Sequence, residues 1–167
     1  MIKRQICLII AIACLGLHAQ QWEGFYSYND ITGIAPSDNG LIYVAAENAL
    51  FSYDPQYGEL QTWTTVDGLL GDEISAHFVK ENRLFVGYYN GMLGVYDLSS
   101  GAYHLDSGIE RNQTIPEDKK TINHFQIHDG KLYLSTEYGI SVYDPENKVF
   151  MIYKKDLEVL RSKETVS

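Results

Sequence analysis

One pattern occurs three times in this sequence and restricts the fold more than any other feature. The first copy is Leu41-Ile42-Tyr43-Val44-Ala45-Ala46, then Glu47-Asn48-Ala49, then Leu50-Phe51-Ser52-Tyr53-Asp54. The second is Leu84-Phe85-Val86-Gly87-Tyr88, Tyr89-Asn90-Gly91-Met92, Leu93-Gly94-Val95-Tyr96-Asp97. The third is Leu132-Tyr133-Leu134-Ser135-Thr136, Glu137-Tyr138-Gly139, Ile140-Ser141-Val142-Tyr143-Asp144. The Tyr-Asp pairs lie 43 and then 47 residues apart. Two β-rich apolar runs around a short turn, repeated at that period, are the pattern of a four-stranded propeller blade. The runs are apolar at nearly every position, as in strands covered on both faces. The aligned small residue (Ala45, Gly87, Ser135) suits a place where two sheets approach closely.

Flanking segments complete four strands per copy. Ile31 to Ala35, Ile74 to Val79 and Ile122 to Ile127 are expected to be the innermost strands. Leu60 to Thr65, Ala102 to Leu105 and Val149 to Tyr153 are expected to be the outermost. The fold class is therefore all-β, a β-propeller of about three four-stranded blades, near 30–66, 73–106 and 121–153. Asp54, Asp97 and Asp144 each end a strand and start a turn, with Pro55 and Pro145 presetting two of them. A carboxylate present in every copy serves a need present in every blade, so these aspartates read as turn residues rather than catalytic ones. Trp22 to Tyr28 is expected to be an outer strand of the last blade in a closed ring. Asp106 to Lys120, with Pro116-Glu117-Asp118-Lys119-Lys120, reads as a solvated loop between blades. Radial closure needs at least four blades. Three copies, with no fourth Tyr-Asp unit in the tail at 154–167, therefore point to the front part of a longer protein, the preferred reading, or to a chain that assembles with something that completes the ring.

The first nineteen residues read as a secretory signal. Lys3 and Arg4 precede an uncharged stretch from Ile6 to Leu17, and Leu17-His18-Ala19 offers a small residue for cleavage. The apolar stretch is too short to span a bilayer as a helix. Cys14 also invites a lipoprotein reading, but Ala11 stands three positions before it, and cleavage after Ala19 is preferred. Both cysteines, Cys7 and Cys14, fall inside this segment, so residues 20–167 would carry no disulfide, thiolate chemistry or cysteine metal site. The formal charge is −9, and −11 once Lys3 and Arg4 are removed. An acidic body without a basic stripe argues against nucleic acid as a partner.

Two resemblances extend this reading. The connector Thr65-Val66-Asp67-Gly68-Leu69-Leu70-Gly71-Asp72-Glu73-Ile74-Ser75 resembles that of propeller repeats in periplasmic sensor domains of bacterial hybrid two-component regulators. Those repeats carry Trp-Ile-Gly-Thr where this chain has Tyr43-Val44-Ala45-Ala46 and Phe85-Val86-Gly87-Tyr88. More of the chain, roughly 22–153, is similar to the PorZ family of type IX secretion components of Bacteroidetes. The likeness rests on Phe25 to Ile31, Ala45 to Asp54, Gly68-Leu69 to Ile74-Ser75, and Gly87-Tyr88-Tyr89-Asn90-Gly91. It implies two propellers and a β-sandwich in the whole protein, of which this chain holds the opening blades. It also implies a place at the outer-membrane cell surface with a PorU-like sortase, PorV and PorQ-like proteins. There the family presents anionic lipopolysaccharide, to which exported cargo is joined. No ligand-binding residue is carried over from the family.

No enzyme is expected, and no cofactor. There is no Gly-x-Ser-x-Gly elbow and no phosphate-cradling Gly-x-x-x-x-Gly-Lys. A propeller enzyme such as a polysaccharide lyase would need a convergent acid/base set that the sequence does not offer. His124, Gln126 and His128 share one side of a strand, yet zinc takes three or four protein ligands. Core or channel-lining histidines are the expectation there, and no metal site. Asn112-Gln113-Thr114 fits a glycosylation acceptor. Tyr88, Tyr89, Asn90 and Tyr138 stand at or beside turns between second and third strands, on the side where propellers usually bind ligands. They are the candidate binding residues, for stacking on or hydrogen bonding to a sugar or peptide.

Overall fold

The computed structural model describes residues 31–46, 49–71 and 73–154. The expected signal segment, the leading Trp22 to Tyr28 strand, Glu47-Asn48 and most of the tail lie outside the described residues. Twelve strands form three antiparallel four-stranded sheets, each an up-and-down meander in chain order. The first sheet contains β1 (Ile31–Pro36), β2 (Ile42–Ala46), β3 (Ala49–Asp54) and β4 (Glu59–Trp63). The second contains β5 (Ile74–Lys80), β6 (Arg83–Tyr88), β7 (Leu93–Asp97) and β8 (Tyr103–Asp106). The third contains β9 (Ile122–His128), β10 (Lys131–Thr136), β11 (Gly139–Asp144) and β12 (Val149–Lys154). Neighbouring sheets meet along their first strands, β1 against β5 and β5 against β9. That is the radial order of a propeller, and the three sheets are the expected blades of an open ring.

The central blade shows why its strands carry so few polar residues. Leu84, Phe85, Val86, Gly87 and Tyr88 of β6 are all buried. Val86 and Tyr88 pack with Tyr43, Ala45 and Leu50 of the first blade. Phe85 packs with Phe125, Leu132 and Leu134 of the third. Fully burying each such side chain contributes on the order of 1.5–3 kcal/mol. Gly87 sets the spacing between the second and third blades. A Cβ placed there would lie 2.7 Å from Ile122 Cγ2 and 3.0 Å from Phe125 Cζ.

Among the described residues the third blade is covered on one face only, and β10 alternates buried and exposed. Its register pairs Lys131 with His128, Tyr133 with Gln126 and Ser135 with His124. Paired residues share a face, so His124, Gln126 and His128 stand with Tyr133 on the side away from the second blade. All three β9 residues are exposed, on the face of the third blade that no described sheet covers. Among the described residues no group of three or more His, Cys, Asp and Glu is placed to hold a metal. His77 behaves differently. It is half-buried and its Nε2 lies 3.1 Å from the Tyr43 carbonyl, which joins the second blade to the first.

Burial holds the His77 imidazole below its ordinary value of 6.5, against the opposing effect of the Tyr43 carbonyl. The folded state therefore binds a proton here less readily than the unfolded chain. Stability from this group is complete above pH 6.5 and declines as the pH falls toward the lowered value. Thermal unfolding should shift downward between pH 7 and 5, and the shift should shrink in His77→Gln. Equal shifts in both proteins would show that His77 is not responsible.

The three aspartates act as turn residues. Asp54 Oδ1 accepts from the Gln56 and Tyr57 amides at 2.8 and 3.3 Å. Asp97 Oδ1 accepts from Ser99 and Ser100 at 3.0 and 2.8 Å, and Asp144 Oδ1 from Glu146 and Asn147 at 3.0 and 3.2 Å. Each turn closes four residues on in the left-handed region, at Gly58, Gly101 and Lys148. Asp144 also takes Lys131 Nζ at 2.6 Å, and this bond, followed by that from Asn147, holds its carboxyl well below the usual range.

Candidate binding site

Each blade begins with the same irregularity. The pairing of first and second strands slips at Thr32, Ser75 and Asn123, one residue after Ile31, Ile74 and Ile122. The extra polar residue of such a bulge re-aims its side chain out of the ladder, and bulges are frequent beside functional sites. Thr32 Oγ1 donates to the Ala45 carbonyl at 3.2 Å, within its own blade. Ser75 Oγ donates to the Ile122 carbonyl at 2.7 Å, across to the next blade. Asn123 Nδ2 reaches Glu137 Oε1 at 3.4 Å. The bulges lie at the end of the blades that also carries the β6–β7 turn and the two connectors between blades.

The first connector is built around Gly68. Thr64 caps a short 3-10 turn, Thr65–Asp67, and Asp67 returns a bond to the Thr64 amide at 2.8 Å. Gly68 ends that turn at φ 88°, and a Cβ there would lie 2.6 Å from the Tyr103 ring. Its carbonyl accepts from the Tyr96 hydroxyl at 3.1 Å. Two residues on, the Leu70 amide donates to the Tyr88 hydroxyl at 3.1 Å, and the two hydroxyls are 3.3 Å apart. Burial, followed by the neighbouring Tyr88, pushes the Tyr96 phenol far above its ordinary value, so it remains a donor at every working pH. Tyr96 is the tyrosine of the second Tyr-Asp pair, and it ties the connector to the blade that follows.

The third Tyr-Asp pair lacks that arrangement. The Tyr143 hydroxyl is buried and has no hydrogen-bond partner among the described residues. Tyr96→Phe should therefore cost about 1–2 kcal/mol, because it leaves the Gly68 carbonyl without this donor. Tyr143→Phe should fall within about 0.5 kcal/mol of the wild type or be more stable. Urea unfolding of both variants measures the contrast. A large loss in Tyr143→Phe would show that its hydroxyl has a partner that matters.

The second connector, Asp106 to Lys120, is exposed along Pro116 to Lys119 as expected of a solvated loop, but three of its side chains anchor it in the core. Ile109 is fully buried and Ile115 nearly so, both in the core with Phe125 and Tyr143. Lys120 is only 2% exposed; its ammonium binds the Glu110 carbonyl and Glu117 Oε1. Backbone bonds from Arg111 to Ser107 and from Asn112 to Ile109 close the loop on itself. It packs on the β6–β7 turn, where Gly91 (φ 87°) leaves room for Ile109 and Lys120. Thr121 Oγ1 donates to the Tyr89 carbonyl, and the Tyr89 amide to the Glu73 carbonyl, both at 3.3 Å. Two isolated isoleucines in a polar stretch were the available signal.

The four candidate residues divide between surface and core. Tyr89 is half exposed, and Asn90 beside it accepts from the Met92 amide at 2.9 Å. Tyr88 is completely buried, with its hydroxyl serving the connector. Tyr138 is 8% exposed and its hydroxyl bonds Ser141 Oγ. Of the four, Tyr89 is at the surface of this end of the blades and Asn90 is partly exposed beside it.

A fold of radially stacked four-stranded sheets, with irregular connectors gathered at one end, defines a section of a β-propeller. The family model for the N-terminal β-propeller domain of PorZ, of the type IX secretion system, matches residues 42–165, and the chain belongs to that family. Among solved structures, PorZ of Porphyromonas gingivalis is similar at 21% identity and a TM-score of 0.66, over 75% of this chain. It is described as an essential bacterial surface component of that secretion system. The extracellular domain of a hybrid two-component system of B. thetaiotaomicron is similar at 21% identity and a TM-score of 0.62, over 76% of this chain. The WD40 repeats of RRP9 share the fold at 11% identity and a TM-score of 0.61, covering 74% of this chain and 38% of that one. The chain spans 17% of the length of the PorZ and two-component structures. A comparison with curated protein sequences gave no match.

Proposed function

We propose that this chain contributes the opening blades of a non-catalytic scaffold in the surface complex of type IX secretion. In this reading it is exported by its N-terminal segment and works at the outer-membrane surface. With a PorU-like sortase, PorV and PorQ-like proteins, it helps present anionic lipopolysaccharide for attachment to cargo. The observation that carries the reading is the family match across 42–165. Affinity purification of the tagged protein from outer membranes of its source bacterium is the test. Sortase, PorV-like and PorQ-like proteins in one complex are expected; recovery without the sortase would contradict the reading.

A second reading, a ligand-sensing module of a hybrid two-component regulator, draws on the likeness to the B. thetaiotaomicron extracellular domain. Among the described residues no helix is long and apolar enough to cross a membrane. A membrane helix and kinase domain encoded downstream in the same reading frame would favour the sensor over the scaffold.

A further inference from the structure

The two seams between the described blades differ in chemistry at one register position. His77 pairs with Val86, as Ile34 pairs with Val44 and Phe125 with Leu134. In the third blade that position is Phe125, which is 1% exposed and has its ring 6.5 Å from Phe85 across the seam. In the second blade it is an imidazole. Its Nε2–H donates to the Tyr43 carbonyl at 3.1 Å, and a Cβ on Gly33 would lie 2.9 Å from its Cε1. The ring therefore lies against both β1 and β2 of the first blade. One seam is closed by hydrocarbon at this position, the other by a titratable group.

Among the described residues nothing beside His77 offsets a positive charge there. β1 has no charged or titratable residue, and Tyr43 is the only one on β2. On β5 itself the remaining charge is Lys80, three residues along the strand, which pairs with Asp38 at 3.5 Å. Next to it, β6 carries Arg83, bonded to Glu146 at 2.6 Å, and Tyr88, whose hydroxyl serves the first connector. His124 and His128 of β9 stand on the far side of the third blade. An imidazolium at this seam keeps its bond to the Tyr43 carbonyl but gives up water without gaining a carboxylate.

We propose that the seam between the first and second blades is an acid-sensitive joint, which protonation of His77 opens while the seam between the second and third stays shut. In the open form the ring meets water and takes up its proton at the ordinary value of 6.5, whereas burial in the closed form lowers that value. Each pH unit below the ordinary value therefore multiplies the open population by up to about tenfold, until the lowered value is reached. The core of the other seam contains hydrocarbon and tyrosine side chains, which do not change charge in this range. The first connector stays tied to the second blade through Tyr96 and Tyr88, so the first blade opens about it as a unit.

Hydrogen exchange read by mass spectrometry at pH 7 and pH 5, corrected for the intrinsic effect of pH, tests the joint. Protection in β2 and β3 should fall about fivefold or more at pH 5, and in β10 and β11 by less than about twofold. His77→Phe, the side chain used at the other seam, should reduce the fall in β2 and β3 to less than about twofold. His77→Gln keeps a donor for the Tyr43 carbonyl without titrating, and should do the same if the phenyl ring prevents folding. Equal falls in all three blades, no fall in β2 and β3, or a fall that persists in a folded variant would overturn the proposal.

Discussion

Gly68→Val is expected to destabilise the protein by roughly 3 kcal/mol or more, the largest loss anticipated for a single residue outside the blades. Two separate causes add. The residue sits at φ 88°, a conformation that a β-branched side chain adopts only with strain. Its Cβ would also stand 2.6 Å from the Tyr103 ring, which would have to leave its stack on Tyr96 to make room. The causes separate in a double-mutant cycle. Gly68→Ala alone should carry both, whereas in a Tyr103→Ala background it should retain about 1 kcal/mol from the backbone. Urea unfolding gives each value. Equal costs in the two backgrounds would show that the ring contact contributes nothing.

Gly87→Val is expected to cost about 2–3 kcal/mol by a different route. Its backbone conformation is ordinary for a strand, so the penalty comes from space alone. The nearest atoms are the branched Cβ and Cγ2 of Ile122, at 2.8 and 2.7 Å, both close to the backbone of β9. The added methyls must push the third blade from the second, which separates Phe85 from Phe125, now 6.5 Å apart. Hydrogen exchange should therefore quicken in β9 and β10 more than in β2 and β3. In an Ile122→Ala background the same substitution should lose most of its effect. Uniform quickening across all three blades would argue against a local wedge.

The blades were legible because their pattern is repetitive and local. The Tyr-Asp pairs, the flanking β-rich runs and the turn aspartates each depend on residues within a few positions. What the sequence concealed depends on contacts between distant segments. Tyr88 stands next to a turn, as its position suggested, but it is the last residue of β6, a strand covered on both faces, whereas Tyr89 belongs to the turn itself. Tyr89 is thus exposed while Tyr88 is buried against Leu70, eighteen residues earlier. Lys119 and Lys120 read alike in sequence; a carbonyl and a carboxylate within reach make Lys120 a buried residue and leave its neighbour at the surface. His124 and His128 occupy the blade face that no described sheet covers, a placement that depends on the neighbouring blade and not on the strand's own residues. The bulges at Thr32, Ser75 and Asn123 left a faint trace, an isoleucine followed each time by a polar residue, which becomes meaningful once the register is known.

The proposed scaffold role is tested most directly by deleting the gene in its source bacterium and following an exported cargo protein of the type IX system. The quantity to measure is the fraction of cargo joined to anionic lipopolysaccharide in the outer-membrane fraction. If these blades open a scaffold that serves the sortase, that fraction should collapse and return when the intact gene is restored. Cargo attached at wild-type levels in the deletion strain would contradict the role.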